Sequence, residues 1–353
     1  MANIKLPGLI DVHVHLREPG ANQKEDFETG TKAAIAGGYT AVLDMPNNPT
    51  PTISEEALNE KIKLATGRIY CDLGFNFGGS PASVPYFNKV KNKVFGLKVY
   101  MNQTTGPLLI EDRKDLESIF EAWPDEKVIM VHALDKTLET AIELAKKFNK
   151  KLHVCHVSLA SEIELIRKGK EKGMDISCEV SAHHLFLDDT YVKKLGAFGL
   201  MKPNLASKKD VKTLWENLDY IDMIASDHAP HAREEKKSEK PPFGVPGLET
   251  TLPLLLTALN EDRLSFKKLI DLTSTKPCQR FGIPKQPNTF VQIDPAKEWK
   301  IGDDELFTKA GWTPFNNMKV VGKIDKVVIR GKEIFASGEF KTNPLGQIIY
   351  PIN

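Results

Sequence analysis

Strand-length apolar runs recur along the first two thirds of the chain, each ended by a turn or polar stretch and most followed by a helical pattern. They read LIDVHVHL (9–16), TAVLDMP (40–46), YCDLGFNF (70–77), FGLKVYM (95–101), VIMVHA (128–133), LHVCHV (152–157), DISCEVSA (175–182) and YIDMIAS (220–226). Between them lie helix-like segments, among them SEEALNEKIKLAT, TLETAIELAKKF, SEIELIRKGKEKG and DVKTLWENL. Buried strands alternating with amphipathic helices call for a parallel sheet with helices outside. Eight such units predict an α/β fold, a closed (β/α)8 barrel of the TIM type over residues 9–284. An open doubly wound sheet is the alternative, but no Gly-rich nucleotide fingerprint follows the first run. Further on, TTLPLLLTALN and SFKKLIDLTST predict helices. KIDKVVIRGKEIFASGEF predicts two short strands joined at Gly331, so a small β appendage is expected from residues 1–8 and 285–353. The Lys/Glu run 234–240 reads as a solvated loop.

Polar residues interrupt the apolar runs at telling places. His13 and His15 close the first run, Lys98 falls late in the fourth, His132 in the fifth, and Cys155 and His156 end the sixth; Glu179 lies in the seventh and Asp227 just past the eighth. In a barrel these strand ends meet at one face, where active sites are built. His-x-His on a strand puts both imidazoles on one side, and imidazoles beside a carboxylate are ligands that suit zinc. One such dipeptide could be ordinary strand-end residues; with His132, His156 and Asp227 at other strand ends, a metal centre is the better reading. Lys98 stands out because an ammonium is costly in an apolar strand unless it is neutralised or paired. A salt bridge to an acid would answer that cost. A neutral amine could instead take up carbon dioxide and give a carbamate, an anion with two oxygens able to bridge two metal ions.

Composition narrows the partners. The 353 residues carry 48 Lys+Arg against 47 Asp+Glu, a net charge of +1, with nine histidines and four cysteines. At about 150 residues per domain the length allows roughly 2.4 domains, or one large barrel with an appendage. A balanced charge lacks the basic excess that binds phosphate backbones or anionic membranes, so neither nucleic acid nor membrane is expected as a partner. There is no apolar run near 18 residues, and a soluble, cytoplasmic protein is expected. The cysteines show no paired short spacing, which argues against a disulfide framework.

LPGLIDVHVHLREPG, DMPNNPTP, GLKVYMN, HVCHV, CEVSAHHLFL and ASDHAPH together resemble the type I dihydroorotases of the amidohydrolase superfamily. The similarity is greatest to the dihydroorotase domain of the animal multifunctional pyrimidine-synthesis polypeptide, and it runs over nearly the whole chain. The resemblance implies reversible cyclisation of N-carbamoyl-L-aspartate to L-dihydroorotate. It implies one zinc held by His13, His15, N-carboxylated Lys98 and Asp227, and a second by Lys98, His132 and His156. Cys155 and Glu179, with His132, match the ligands of a third zinc, although strand alternation points Cys155 and His156 to opposite faces unless the strand end bulges. Asp227 is implied as the proton shuttle. Arg17, Asn47 and His231 are implied to hold the substrate carboxylate, and the backbone at Pro246 and Gly247 to contact the ring. An ion pair of Arg17 with Glu18, and turn formation by Asn47, are the plainer readings. NQTTGPLL is expected to form a lid in which Thr104 offers a hydroxyl to the substrate. Thr105 and Lys202 depart from the animal domain, which has Phe and Arg there. His153 is expected to face helix or solvent, His183 and His184 to brace the seventh strand's loop, and His228 to bond locally. A homodimer and association with aspartate transcarbamoylase are the expected partnerships. The rivals are another cyclic amidase, acting on hydantoins or allantoin, and a non-catalytic barrel subunit, which would be expected to lose ligands that are all present here.

Overall fold

The computed structural model describes residues 3–352. Each predicted run forms a strand: β2 (Leu9–Val14), β3 (Tyr39–Asp44), β4 (Asp72–Phe75) with its short continuation β5 (Phe77–Gly78), β6 (Gly96–Tyr100), β7 (Val128–His132), β8 (Lys151–Val154), β9 (Ile176–Val180) and β10 (Met223–Ile224). All pair in parallel, in the orders β2-β3-β4 and β5-β6-β7-β8-β9-β10. Phe95 N–H donates to Phe75 O across one join, and His15 N–H to His228 O across the other, so the sheet closes on itself. Except in the third run, where β5 reaches Gly78, the strands end one to three residues before the apolar runs do. The trailing residues have left the ladder to form the mouth, where His15, His156 and Asp227 stand.

The runs are continuously apolar because both strand faces are covered. Ile10, Val12, Ala41, Leu43, Val128, Met130, Met223 and Ala225 fill the barrel. Val42, Leu73, Leu97, Val99, Ile129 and Leu152 face the surrounding helices. Those helices include α1 (Phe27–Ala36), α2 (Glu55–Ala65), α3 (Arg113–Ala122), α4 (Lys136–Lys147), α5 (Ala160–Glu171), α6 (Lys208–Glu216) and α7 (Leu248–Asn260). Asp26 and Ser54 cap α1 and α2 by accepting Thr29 and Ala57 N–H. α2 buries Leu58, Lys61 and Ala65, so a lysine occupies the stripe that faces the barrel.

The C-terminal strands β11 (Phe290–Lys300), β12 (Lys319–Ile329), β13 (Lys332–Ala336) and β14 (Glu339–Phe340) form an antiparallel sheet, with β1 (Ile4–Pro7) added against β11. Arg330 and Gly331, both at positive φ, make the tight turn between β12 and β13. Residues 346–349 run back along β4, through Leu73 N–H to Gln347 O and Ile349 N–H to Leu73 O. The run expected as a solvated loop is exposed at Glu234 and at 237–240, but Arg233–Lys236 forms a helical turn and Lys236 is fully buried. No helix among the described residues is long and apolar enough to cross a membrane.

Candidate active site

Two breaks in strand alternation bring the candidate ligands together. In β2 the pairing slips between Asp11 and Val14, so Ile10 and Val12 fill the barrel while His13 and His15 reach its mouth. Asp11 holds this bend by accepting N–H bonds from His13 and Ser226, each 3.0 Å, and burial pushes its carboxyl up to about 7. Past β8, His156 lies in the left-handed region at φ 38°, so both neighbours turn inward: Cys155 groups with His13 and Glu179, and His156 with His132. Arg17 (φ 64°) and Asp227 (φ 45°) share that conformation. Three such side-chain-bearing residues at one mouth are the kind of strain that folds retain at functional sites.

The ligand candidates form two groups. His13 Nε2 and His15 Nε2 lie 3.4 and 3.2 Å from Asp227 Oδ1. His132 Nδ1 and His156 Nε2 are 2.8 Å apart. Ligand atoms about 2.0–2.1 Å from one ion, at angles of 90–109°, stand about 2.9–3.4 Å from one another. Lys98 Nζ, His132 Nε2 and His156 Nδ1 are buried without a hydrogen-bond partner among the described residues. A donor set of imidazoles, a carboxylate and an unpartnered amine fits a metal centre. A third grouping places Cys155, Glu179 and His13 ligand atoms within 4.8 Å of one another, while His132 sits with His156 instead.

Neighbouring groups orient the ligands. His13 Nδ1 meets Glu179 Oε1, and His15 Nδ1 is 2.8 Å from Asn47 Oδ1. With Nδ1 donating in both rings, each Nε2 lone pair faces Asp227. Such partners commonly fix the tautomer of a metal-binding histidine. Glu179 Oε2 lies 3.0 Å from His153 Nε2, and His153 Nδ1 is 2.9 Å from Ser177 Oγ. His153 is thus fully buried inside the barrel, where it was expected to face helix or solvent. Burial, and then the Lys98 charge, hold His13 below the usual range; His132 is held further down the same way. Burial and the Arg17 charge do this for His15, and burial and His132 for His156. Neutral imidazoles are what a cation needs. Burial raises Asp227, with His13 and Lys98 pulling the other way, and pushes the Cys155 thiol up.

Arg17, Asn47, Thr104, Lys202 and Asp227 line a cavity of about 30 Å³ together with His13, His15, His132 and His156, whereas His231 is fully buried and lies outside its lining. The cavity adjoins a 210 Å³ chamber that shares His15, Arg17, Asn47 and Thr105. Arg17 does not pair with Glu18, whose carboxylate is taken by Arg68 Nη1 (2.8 Å) and Phe27 N–H. Its Nε donates to Pro230 O and its Nη2 lies 3.2 Å from His231 Nε2. Burial, with Arg17 and Lys24 close by, pushes His231 down to about 2, so the ring is neutral. Asn47 does more than shape a turn: its Nδ2 donates to Thr105 O at 2.8 Å, linking the loop after β6 to His15. Pro246 and Gly247 do not line this cavity; Gly247 N–H instead donates to His228 Nδ1. His228 reaches beyond its neighbours to Glu25 Oε2, 3.3 Å away. Sequence reasoning missed Tyr100, Phe243 and Gly244 on the cavity wall, and Asp11 and His153 behind it. A carboxylate and an imidazole inside apolar strands were the available signals for the last two.

The fold and these side chains define a (β/α)8 barrel hydrolase with a candidate metal centre at its mouth. The amidohydrolase family model matches residues 4–334. Over 343 residues the chain is 44% identical to the multifunctional protein CAD of Squalus acanthias, covering 97% of this chain and only 15% of that one. It is 37% identical over 371 residues to a dihydroorotase of Methanosphaera stadtmanae, covering 94% of this chain and 85% of the relative. The L-hydantoinase (dihydropyrimidinase) of Arthrobacter aurescens superposes with a TM-score of 0.93 at 26% identity, over 99% of this chain and 89% of that one. The chain belongs to the amidohydrolase family and, within it, to the dihydroorotases.

Proposed function

We propose that this protein is a zinc-dependent dihydroorotase that interconverts N-carbamoyl-L-aspartate and L-dihydroorotate in pyrimidine synthesis. The convergence of His13, His15 and Asp227 beside an unpartnered, buried Lys98 carries the reading. His13, His15, Lys98 and Asp227 would hold one zinc, and Lys98, His132 and His156 the other. Once the Lys98 ammonium has given up a proton, addition of carbon dioxide to the neutral amine forms an N–C bond and releases a second proton, so that the side chain becomes an anion with two oxygens. Bound zinc supplies Lewis acidity and lowers the pKa of water. A third ion would have to take Glu179 from both His13 and His153, so two ions are the simpler occupancy.

Asp227, raised by burial, suits a group that takes a proton from attacking water and returns it to the ring nitrogen. Arg17 offers a planar fork to the substrate carboxylate, with neutral His231 and Asn47 beside it. The loop bearing Thr104 and Thr105 lies over the mouth, with Thr105 Oγ1 donating to Phe243 O at 3.3 Å. A cytoplasmic homodimer that associates with aspartate transcarbamoylase accords with the similarity to a multifunctional protein.

The test is turnover by the purified, zinc-loaded protein in both directions. Lys98→Ala and Asp227→Ala are each expected to abolish it, and wild-type-like activity in either variant would sink the mechanism. The likeness to a hydantoinase favours one second reading, a cyclic amidase for hydantoins. Faster turnover of a hydantoin than of dihydroorotate would decide for it.

A further inference from the structure

Lys236 is fully buried, and its partners are carbonyls. Nζ donates to Leu200 O (3.0 Å), Pro242 O (2.9 Å) and Gly244 O (3.1 Å), and sits 5.5 Å from the centre of the Trp312 ring. Gly244 N–H also donates to Leu200 O at 3.0 Å. One ammonium therefore joins two loops, one following β9 and one following β10. Both loops line the candidate substrate cavity, through Lys202 on the first and Phe243 and Gly244 on the second.

The two carbonyls on the second loop flank Phe243, whose own carbonyl turns the other way. That carbonyl receives His231 Nε2 at 2.9 Å and Thr105 Oγ1 at 3.3 Å. Lys202 Nζ stands 4.8 Å from the Phe243 ring centre, so both loops meet there too. On the far side, Trp312 Nε1 donates to His231 O at 2.8 Å. A buried cation held only by carbonyls has given up its hydration for backbone geometry alone. Losing it would leave the Pro242 and Gly244 carbonyls without their donor and Leu200 O with the Gly244 N–H alone, a penalty borne by the two loops it joins.

We propose that Lys236 is a positioning residue for substrate binding, fixing the Phe243 carbonyl as the point where His231 and the loop bearing Thr105 dock. This rests on the dihydroorotase reading, because it takes Arg17, with the buried His231 behind it, and that loop as the substrate-holding side of the cavity. Lys236 touches none of the candidate metal ligands, so the effect falls on substrate binding and leaves the metal centre intact.

The experiment compares Lys236→Met, Lys236→Gln, Thr105→Val and the Lys236→Met/Thr105→Val pair, all zinc-loaded. KM for dihydroorotate is expected to rise about tenfold in Lys236→Met and less in Lys236→Gln, which keeps two donors, with zinc content and kcat close to wild type. Thr105→Val should raise KM on its own and add nothing in the Lys236→Met background, since both act through one carbonyl. Additive effects, or a fall in kcat with KM unchanged, overturn the proposal. Amide hydrogen exchange read independently of activity should be faster at Gly244 in Lys236→Met while the barrel strands stay protected. Unchanged exchange at Gly244 overturns the clamp even if the enzyme turns over. A wild-type chain inactive on dihydroorotate but with the expected exchange change would count against the functional reading instead. Should Lys236→Met fail to fold, Lys236→Gln carries the same comparisons.

Discussion

Two fully buried lysines near one mouth answer opposite demands. Lys61, on α2 beneath the loop after β3, lies 2.7 Å from Asp44 Oδ2 and donates to Met45 O and Asn48 Oδ1, each at 2.8 Å. Asp44 in turn accepts the Leu16 N–H at 2.8 Å, so this cluster braces the backbone on both sides of His15, Arg17 and Asn47. Lys98, inside β6, has no hydrogen-bond partner at Nζ among the described residues, and the Tyr100 ring centre lies 5.2 Å away. A buried charge with a full set of partners is there for the fold. One left without partners, among histidines and a carboxylate, is the arrangement that the proposed carbamate requires.

The contrast breaks or holds on stability measured without metal. Lys61→Met leaves Asp44 buried and unpaired, and should cost about 3–5 kcal/mol of unfolding free energy. Lys98→Met, compared with chelator-treated wild type, should unfold at the same urea concentration or higher, because it removes a buried amine with no hydrogen-bond partner among the described residues. Urea titrations of both variants check this. A large loss of stability in Lys98→Met would show that Lys98, too, is structural.

A smaller effect sharpens the same contrast at Arg17. Its guanidinium is buried beside His231 and away from Glu18, and burial lowers it only to about 10, so it keeps its charge. Arg17→Lys preserves charge but not the planar fork, and should raise KM for dihydroorotate about tenfold or more with zinc content unchanged. Steady-state kinetics with metal analysis decides the matter; an unchanged KM would remove Arg17 from carboxylate binding.

How legible each group was in the sequence follows from what surrounds it locally. Lys98, His132 and Glu179 were visible because a polar residue in an apolar run is an anomaly without tertiary knowledge. Lys61 looked like any lysine of an amphipathic helix, although its spacing from Leu58 and Ala65 puts it on the buried stripe. Lys236 was hidden by composition: amid Glu, Lys and Ser it read as solvent-facing, and only the Leu200, Pro242 and Gly244 carbonyls give it a place. The inward turn of both Cys155 and His156 could not be read from alternation, because it depends on a left-handed residue at 156 held by tertiary contacts. The β strands were found but their ends were overrun, since the mouth is built of apolar-flanked residues that have already left the ladder.

The smallest expected effect concerns a carboxylate partnered only by backbone. Glu249, at the start of α7, accepts N–H bonds from Phe307 (2.8 Å) and Thr308 (2.9 Å), and no salt bridge joins them among the described residues. Burial pushes its carboxyl up to about 8, against those two bonds. The sign follows from proton binding. A folded-state value raised above the unfolded one means that the fold holds the proton longer, so this group's contribution to stability is greatest below about 4.5, declines as pH rises, and levels off above about 8. Glu249→Gln imitates the protonated acid at every pH. Its melting temperature should match wild type near pH 4.5 and exceed it by about 2 °C at pH 8.5. A difference that stays constant across that range would mean the Glu249 carboxyl is ionised in the fold throughout, and that the two backbone N–H groups suffice to hold a half-buried charge.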